Sequence, residues 1–355
     1  MDYDEYYMSN FDFICVSGYG RSGSSACVDL LKEFEYIDGP NKEFRIAKDP
    51  FGLLDLELSS VDDLGFIRHN TAIYDFLNYC LMLSREDGIL KKSGKDFSNI
   101  LYVDFMKESL NYIDSLTDFT YCGDTMLNRY RLNSVESFKQ RIKSKFGLSN
   151  AVPMYFSHPS EEKFLLETKQ YLRKLFRNYA ANKKARKIVL DQAISPANIN
   201  KTLRYFDNAK MIIVDRDPRD IYATMINKKM FLGIEVDNNS VSKYIEWHRT
   251  VRKTAIHDVD IYSMNNKILR LKFEDFFLHY DRILEQVKEF LNIDFIHKDK
   301  GSKFKVESIN EHVGIWKDMP DQSVMLQIEK ELGEYCFKRP LHKSTQIIPI
   351  ITPIQ

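Results

Sequence analysis

Residues 11–25 constrain the chain most. A short apolar and β-branched run, FDFICVSG (11–18), leads straight into a loop dense in glycine and serine, GYGRSGSS (18–25). The run has the length and residue types of a buried strand, and the glycine closes it. The segment SSACVDLLKEF then puts Cys27, Leu30, Leu31 and Phe34 on one helical face. A strand, a glycine-rich turn and a helix in that order open an α/β nucleotide-binding fold.

Strand patterns return far downstream, at RKIVLDQ (186–192), AKMIIVDR (209–216) and KILRLKF (267–273). Helical patterns follow the last two, at PRDIYATMINKKM, SVSKYIEWHRTVRKTAI (240–256) and EDFFLHYDRILEQVKEFLNI, with Pro218 in a first turn where its missing N–H costs nothing. Alternating strands and helices predict one P-loop-like central parallel sheet containing 11–17, 187–191 and 210–215, with helices on both faces. Residues 55–185 differ: rich in Tyr, Phe, Lys and Asn, with helical patches such as AIYDFLNYCLML. They are expected to form a mostly helical insertion, an acceptor lobe over the cofactor edge of a single domain spanning 1–340. Residues 341–355 read as an irregular tail.

Gly18-Tyr-Gly-Arg-Ser-Gly23-Ser-Ser25 has nearly the Walker A spacing. Backbone N–H groups of such a loop and the N-terminus of the following helix make an anion site, which assigns Gly20, Arg21, Ser22, Gly23, Ser24 and Ser25 to phosphate binding. Ser24 stands where a kinase or ATPase carries lysine; the cation sits earlier, at Arg21, where a guanidinium grips a terminal anionic group with two donors. This loop alone does not separate a kinase from another phosphate-handling enzyme.

A second signature narrows the choice. In NAKMIIVDRDPRDIYATM (208–225), Arg216 leaves a strand end and Thr224 follows eight residues later, about two turns into a helix. Together, RSGSS (21–25) and RDPRD (216–220) resemble the sulfotransferase superfamily, and the arginine in the first loop is similar to carbohydrate and tyrosylprotein sulfotransferases. The resemblance implies 3′-phosphoadenosine 5′-phosphosulfate (PAPS) as donor and PAP as product, with residues 18–25 on the 5′-phosphosulfate and Arg216 with Thr224 on the 3′-phosphate. Three further stretches look like the family's: Ser195-Pro-Ala-Asn198, LRLKFEDF (269–276) and INEHVGIWKDMP (309–320). A lysine that many relatives carry two residues before the proline is replaced here by Ile194; Lys48 is the substitute cation. By likeness to a G-E-E-T-R stretch, Glu43 in GPNKEFR takes the position of the catalytic base, able to accept a proton from an attacking hydroxyl. The same carboxylate also fits a solvated loop residue paired with Lys42 or Arg45. His69 and His158 are the other candidate bases.

The implied acceptor bears a hydroxyl, a saccharide or glycolipid first, with a small alcohol, phenol or sterol, or a P-loop kinase activity, as alternatives. Lysine and arginine total 51 against 51 acidic residues. Bulk charge therefore draws the chain to neither nucleic acid nor an anionic membrane. No run approaches the roughly 20 apolar residues of a membrane span, and the N-terminus lacks a signal-peptide pattern. The five cysteines are widely spaced and odd in number, and the eight histidines show no i, i+4 pair; neither a metal site nor a disulfide framework is expected, and the compartment expected is the cytoplasm. Nothing in the pattern sets an oligomeric state.

Overall fold

The computed structural model describes residues 11–62, 65–86, 94–123, 132–229, 240–257, 266–294, 296–297 and 299–338. The expected tail at 341–355 lies outside them. The central sheet has five strands: β1 (Asp12–Gly18), β2 (Ile37–Asp38), β5 (Lys187–Asp191), β6 (Lys210–Asp215) and β7 (Ile268–Lys272). They run in the order β2-β5-β1-β6-β7, and every pairing is parallel. The three strands expected to share the sheet are its centre, with Val16 opposite both Asp191 and Ile212.

Side chains alternate between the two faces, as strand geometry requires. Phe13, Cys15, Ile188, Leu190, Met211 and Ile213 point into one hydrophobic cluster; Ile14, Val16, Val189, Ile212 and Val214 point into another. Helix α1 (Ser24–Leu31) closes the second face with Cys27, Leu30 and Leu31, and Phe34 joins them just beyond its end. The other face is covered by the region between Leu53 and Lys183: α2 (Leu53–Ser60), α3 (Phe66–Ser84), α4 (Phe105–Leu116) and α6 (Glu161–Lys183). Each large side chain buried there contributes about 1.5–3 kcal/mol, so the sheet and these helices stabilise one another. Between α4 and α6 the chain also forms an antiparallel ribbon, β3 (Phe119–Gly123) with β4 (Val152–Phe156), whose connection carries α5 (Ser134–Lys145). Sequence reading missed this ribbon because β3 buries only its last residue, so no alternation of burial marks it.

After β6, helices α7 (Pro218–Asn227), α8 (Val241–His257) and α10 (Gln322–Leu332) pack as a third cluster. The single long helix expected from residue 274 is broken. A turn at Asp275–Leu278 ends at His279, whose φ of −139° and ψ of 43° are not helical, and α9 (Tyr280–Leu291) starts afresh. Phe276, Ile283, Val287 and Leu291 stay close to one helical phase across the break and share one cluster, which is why periodicity does not reveal it. Among the described residues, no helix is long and apolar enough to cross a membrane.

Candidate active site

The glycine-rich loop leaves the C-terminal end of β1, where ligands collect in open parallel sheets. Gly20 (φ 86°), Arg21 (φ 49°) and Gly23 (φ 87°) are all left-handed. Gly23 is required twice over: it caps α1, and a Cβ there would sit 2.1 Å from the Phe273 ring. At Gly20 a Cβ would meet only the Trp247 ring, at 3.6 Å. The arrangement opens the loop's backbone toward the N-terminus of α1, leaving Arg21 exposed and Ser22 buried with its hydroxyl unpartnered.

Arg216 lies at the same end of the sheet. Its Nη1 donates to the carbonyl of Arg21 at 3.2 Å and its Nη2 to the carbonyl of His312 at 2.6 Å, over the face of Phe273. It is 4% exposed, and burial lowers its pKa against the opposing pull of Asp220, Glu274 and Asp217. Arg216 Nε has no protein partner. The unpartnered Ser22 hydroxyl and Arg216 Nε, beside the exposed Arg21, are donors suited to an anionic ligand, so the donor set fits a nucleotide carrying separate anionic groups. Thr224 is half-buried and its hydroxyl donates to the carbonyl of Asp220 at 2.8 Å, one helical turn back.

The stretches matched separately in the sequence interlock here. Glu274 Oε1 accepts from the Asp217 amide at 2.8 Å; Asp220 accepts from the amides of Gly314 (2.8 Å) and Trp316 (3.1 Å). Arg219 pairs with Asp217 and stacks on Trp316, 4.0 Å from its ring centre. Arg216 therefore forms no ion pair with Asp217, whose carboxylate is taken by Arg219. Burial raises Glu274 to about 7 and Asp220 to about 6.

On the other flank of the loop, the end of β5 supplies residues that sequence reading did not single out. Asp191 accepts from Ser25 Oγ at 2.8 Å and Ser24 Oγ at 3.3 Å. Gln192, left-handed at φ 57°, accepts from Lys48 Nζ at 2.6 Å and donates to Ser24 Oγ at 2.8 Å. The signal was a polar pair, Asp-Gln, closing an apolar strand. Lys48 is thereby joined to the loop through one side chain, while Ile194 is fully buried in the core. Burial, reinforced by Arg45, lowers the Lys48 ammonium to about 8. Burial is also the largest cause raising Asp191, and Glu43 adds to it.

Glu43 stands beside this cluster because the amide of Phe44 donates to the carbonyl of Asp191 at 3.1 Å. Its carboxylate accepts from Arg45 Nη1 at 3.2 Å, and Arg45 in turn holds Asp49. His69 and His158 stack on each other, ring centres 5.7 Å apart, with His158 Nδ1 3.0 Å from the carbonyl of Ser60 at the end of α2.

A glycine-rich loop carrying the exposed Arg21, the buried Arg216 at its edge and carboxylates at the same sheet end are the pattern of an α/β nucleotide-handling enzyme. The model of the Sulfotransferase family matches residues 13–297. The chain belongs to that family: it is a PAPS-dependent sulfotransferase, and the expected enzyme class and donor stand. No curated protein matches it. Similar solved structures include the sulfotransferase domain of the Synechococcus PCC 7002 olefin synthase, at 12% identity and TM-score 0.42, covering 93% of this chain and 96% of that one. The sulfotransferase domain of the curacin biosynthetic pathway gives 11% identity and TM-score 0.40, over 91% and 97%. Retinol dehydratase in a complex with retinol and PAP gives 14% and 0.33, over 95% and 85%.

Proposed function

We propose that this chain transfers the sulfuryl group of PAPS to a hydroxyl of a glycolipid, acting as one domain over residues 1–340. The observation that carries the donor half is the junction of Arg216 with the Arg21 carbonyl. It brings the two anion-binding signatures, 195 residues apart in sequence, to a single edge. In this reading residues 20–25 hold the 5′-phosphosulfate, Arg216 and Thr224 the 3′-phosphate, and Arg21 and Lys48 balance charge developing at the transferring group. Glu43 takes the acceptor's proton, its carboxylate oriented by Arg45 Nη1 at 3.2 Å.

The acceptor half rests on a cleft of about 920 Å³ lined by Phe51, Leu58, Phe66, Ile67 and Ala72, with Asp55, Arg68 and Asp75 around it. Phe51 is three residues from Lys48, hence no more than about 11 Å away along the chain. The apolar wall suits a lipid tail and the charged residues suit a sugar, so residues 55–185 serve as the acceptor lobe. Asp191 beside Ser25 resembles the carboxylate of a magnesium site, which sequence reading did not find; the serine at position 24 and the family assignment speak against a kinase. Five free cysteines suit a reducing cytoplasm.

The test is transfer of labelled sulfate from PAPS to a glycolipid and to its free sugar. The glycolipid should show the lower KM; equal values would remove the lipid from the reading. With the better acceptor, Glu43→Gln should lower kcat by about 10²–10⁴-fold, the usual worth of a positioned base, and leave PAP affinity unchanged. Near-normal turnover would return the base to His69 or His158.

A further inference from the structure

Helix α5 stands apart from the rest of the fold: none of its residues is buried. Yet it exposes Val135 (62%), Phe138 (63%), Ile142 (41%) and, at its C-terminal cap, Phe146 (74%). At about 100° per residue these four side chains fall within an arc of about 80°, one continuous apolar stripe. Lys139 and Lys143 flank the stripe on one side, Arg141 and Lys145 on the other. Gln140, Ser144 and Ser137 occupy the opposite face with Glu136, the helix's one acidic residue. The helix holds its shape without burial. Asn133 and Glu136 form a reciprocal capping box, and Asn150 Nδ2 ties down the C-terminal turns through the Gln140 carbonyl and Ser144 Oγ.

An apolar stripe edged by cations, with a polar back, is the pattern of a helix lying in a lipid interface. The net charge of the whole chain is zero, so this concentration of four cations on one exposed helix is local. We propose that α5 docks the protein onto an anionic bilayer surface, its apolar stripe in the acyl boundary and its four cations at the headgroups. The β3–β4 ribbon leads to the helix and packs on α3, where the Tyr155 amide donates to Asn70 Oδ1 and Tyr74 Oη donates to the Pro153 carbonyl. At the end of the ribbon away from α5, Phe156 stacks on Phe119 (4.9 Å) and on Phe66 (5.6 Å), a residue lining the acceptor cleft. Five paired positions, about 14 Å, separate that end from the one where α5 connects. Phe119 and Tyr121, both exposed, extend the apolar surface along the ribbon. A protein seated this way holds its cleft near the bilayer.

The docking stands independently of the acceptor reading and is measured without donor or acceptor. The full chain is sedimented with vesicles of phosphatidylcholine alone and with vesicles containing phosphatidylserine. Binding to the second, falling as salt rises and at least tenfold weaker on the first, is expected. Each basic residue near an anionic surface is worth about fivefold in affinity. Lys139→Glu with Lys143→Glu should therefore lose more than about 25-fold. Phe138→Ser with Ile142→Ser should lose at least tenfold. All four side chains are exposed, and an unchanged thermal shift with PAP checks that the variants fold. Wild-type protein left in the supernatant, or variants that sediment as well as wild type, would overturn the proposal. So would light scattering showing a dimer that the Phe138→Ser, Ile142→Ser variant dissociates, since the stripe would then belong to a second copy.

Discussion

Lys48 shows how burial sets the chemistry of a single residue. It is half-buried beside Gln192 and near Arg45, and its ammonium is lowered from its ordinary 10.5 to about 8, by desolvation first and by Arg45 second. Below pH 8 the free enzyme carries the ammonium; above it the cation is lost. If the charge assists transfer, kcat/KM should fall as pH rises through about 8. Bound PAPS, being anionic, favours the charged form, so the matching limb in kcat should lie higher. Lys48→Arg should remove the alkaline limb, because its guanidinium does not titrate in that range. A limb unchanged in this variant would assign it to another group. Glu274 obeys the opposite sign. Its folded-state pKa is raised to about 7, so the folded state binds more protons than the unfolded one between about 4.5 and 7. The stability it contributes when protonated is lost as pH rises through that window. Glu274→Gln should flatten the decline in Tm between pH 5 and 8, and an identical slope would remove Glu274 as its source.

The loop between β1 and α1 is where an element depends on single atoms. Gly20 and Gly23 have nearly the same φ, but their surroundings differ. Gly20→Ala meets backbone strain alone, on the order of 1–3 kcal/mol, since its Cβ would touch Trp247 at ordinary contact distance. Gly23→Ala adds a collision with Phe273, which itself supports Arg216. Calorimetric titration with PAP should show binding kept within about tenfold in Gly20→Ala and lost in Gly23→Ala. Equal losses would mean that strain, not the Phe273 contact, governs the loop. The motif text RSGSS carries the glycine, but the aromatic ring that makes it obligatory lies 250 residues away, in the LRLKFEDF stretch, and nothing in the sequence joins the two.

For the whole molecule, PAP should bind the folded state alone and so raise its stability by about 2.7 kcal/mol at 100 times its Kd. ATP with magnesium should give no such shift. Activity should survive EDTA, because arginine, lysine and backbone amides surround the loop and supply the positive charge a metal would otherwise provide. Loss of activity restored by magnesium would give Asp191 a metal.

The amino-acid sequence determined the strand–loop–helix opening and the parallel sheet, and it carried the RSGSS and RDPRD segments that mark the family, because these rest on local pattern: alternation, glycine at fixed offsets and charge at a strand end. Tertiary structure alone decided what stands beside them. Gln192 and Asp191 reach the loop because β5 pairs with β1 across 175 residues, and Lys48 reaches it because the chain folds back along β5. The interlock of Arg216, Glu274 and Gly314 is likewise a matter of three distant segments meeting. The stripe on α5 is written in the sequence at helical spacing, and its exposure is not. Periodicity records that a face is apolar, and only packing decides whether protein covers it.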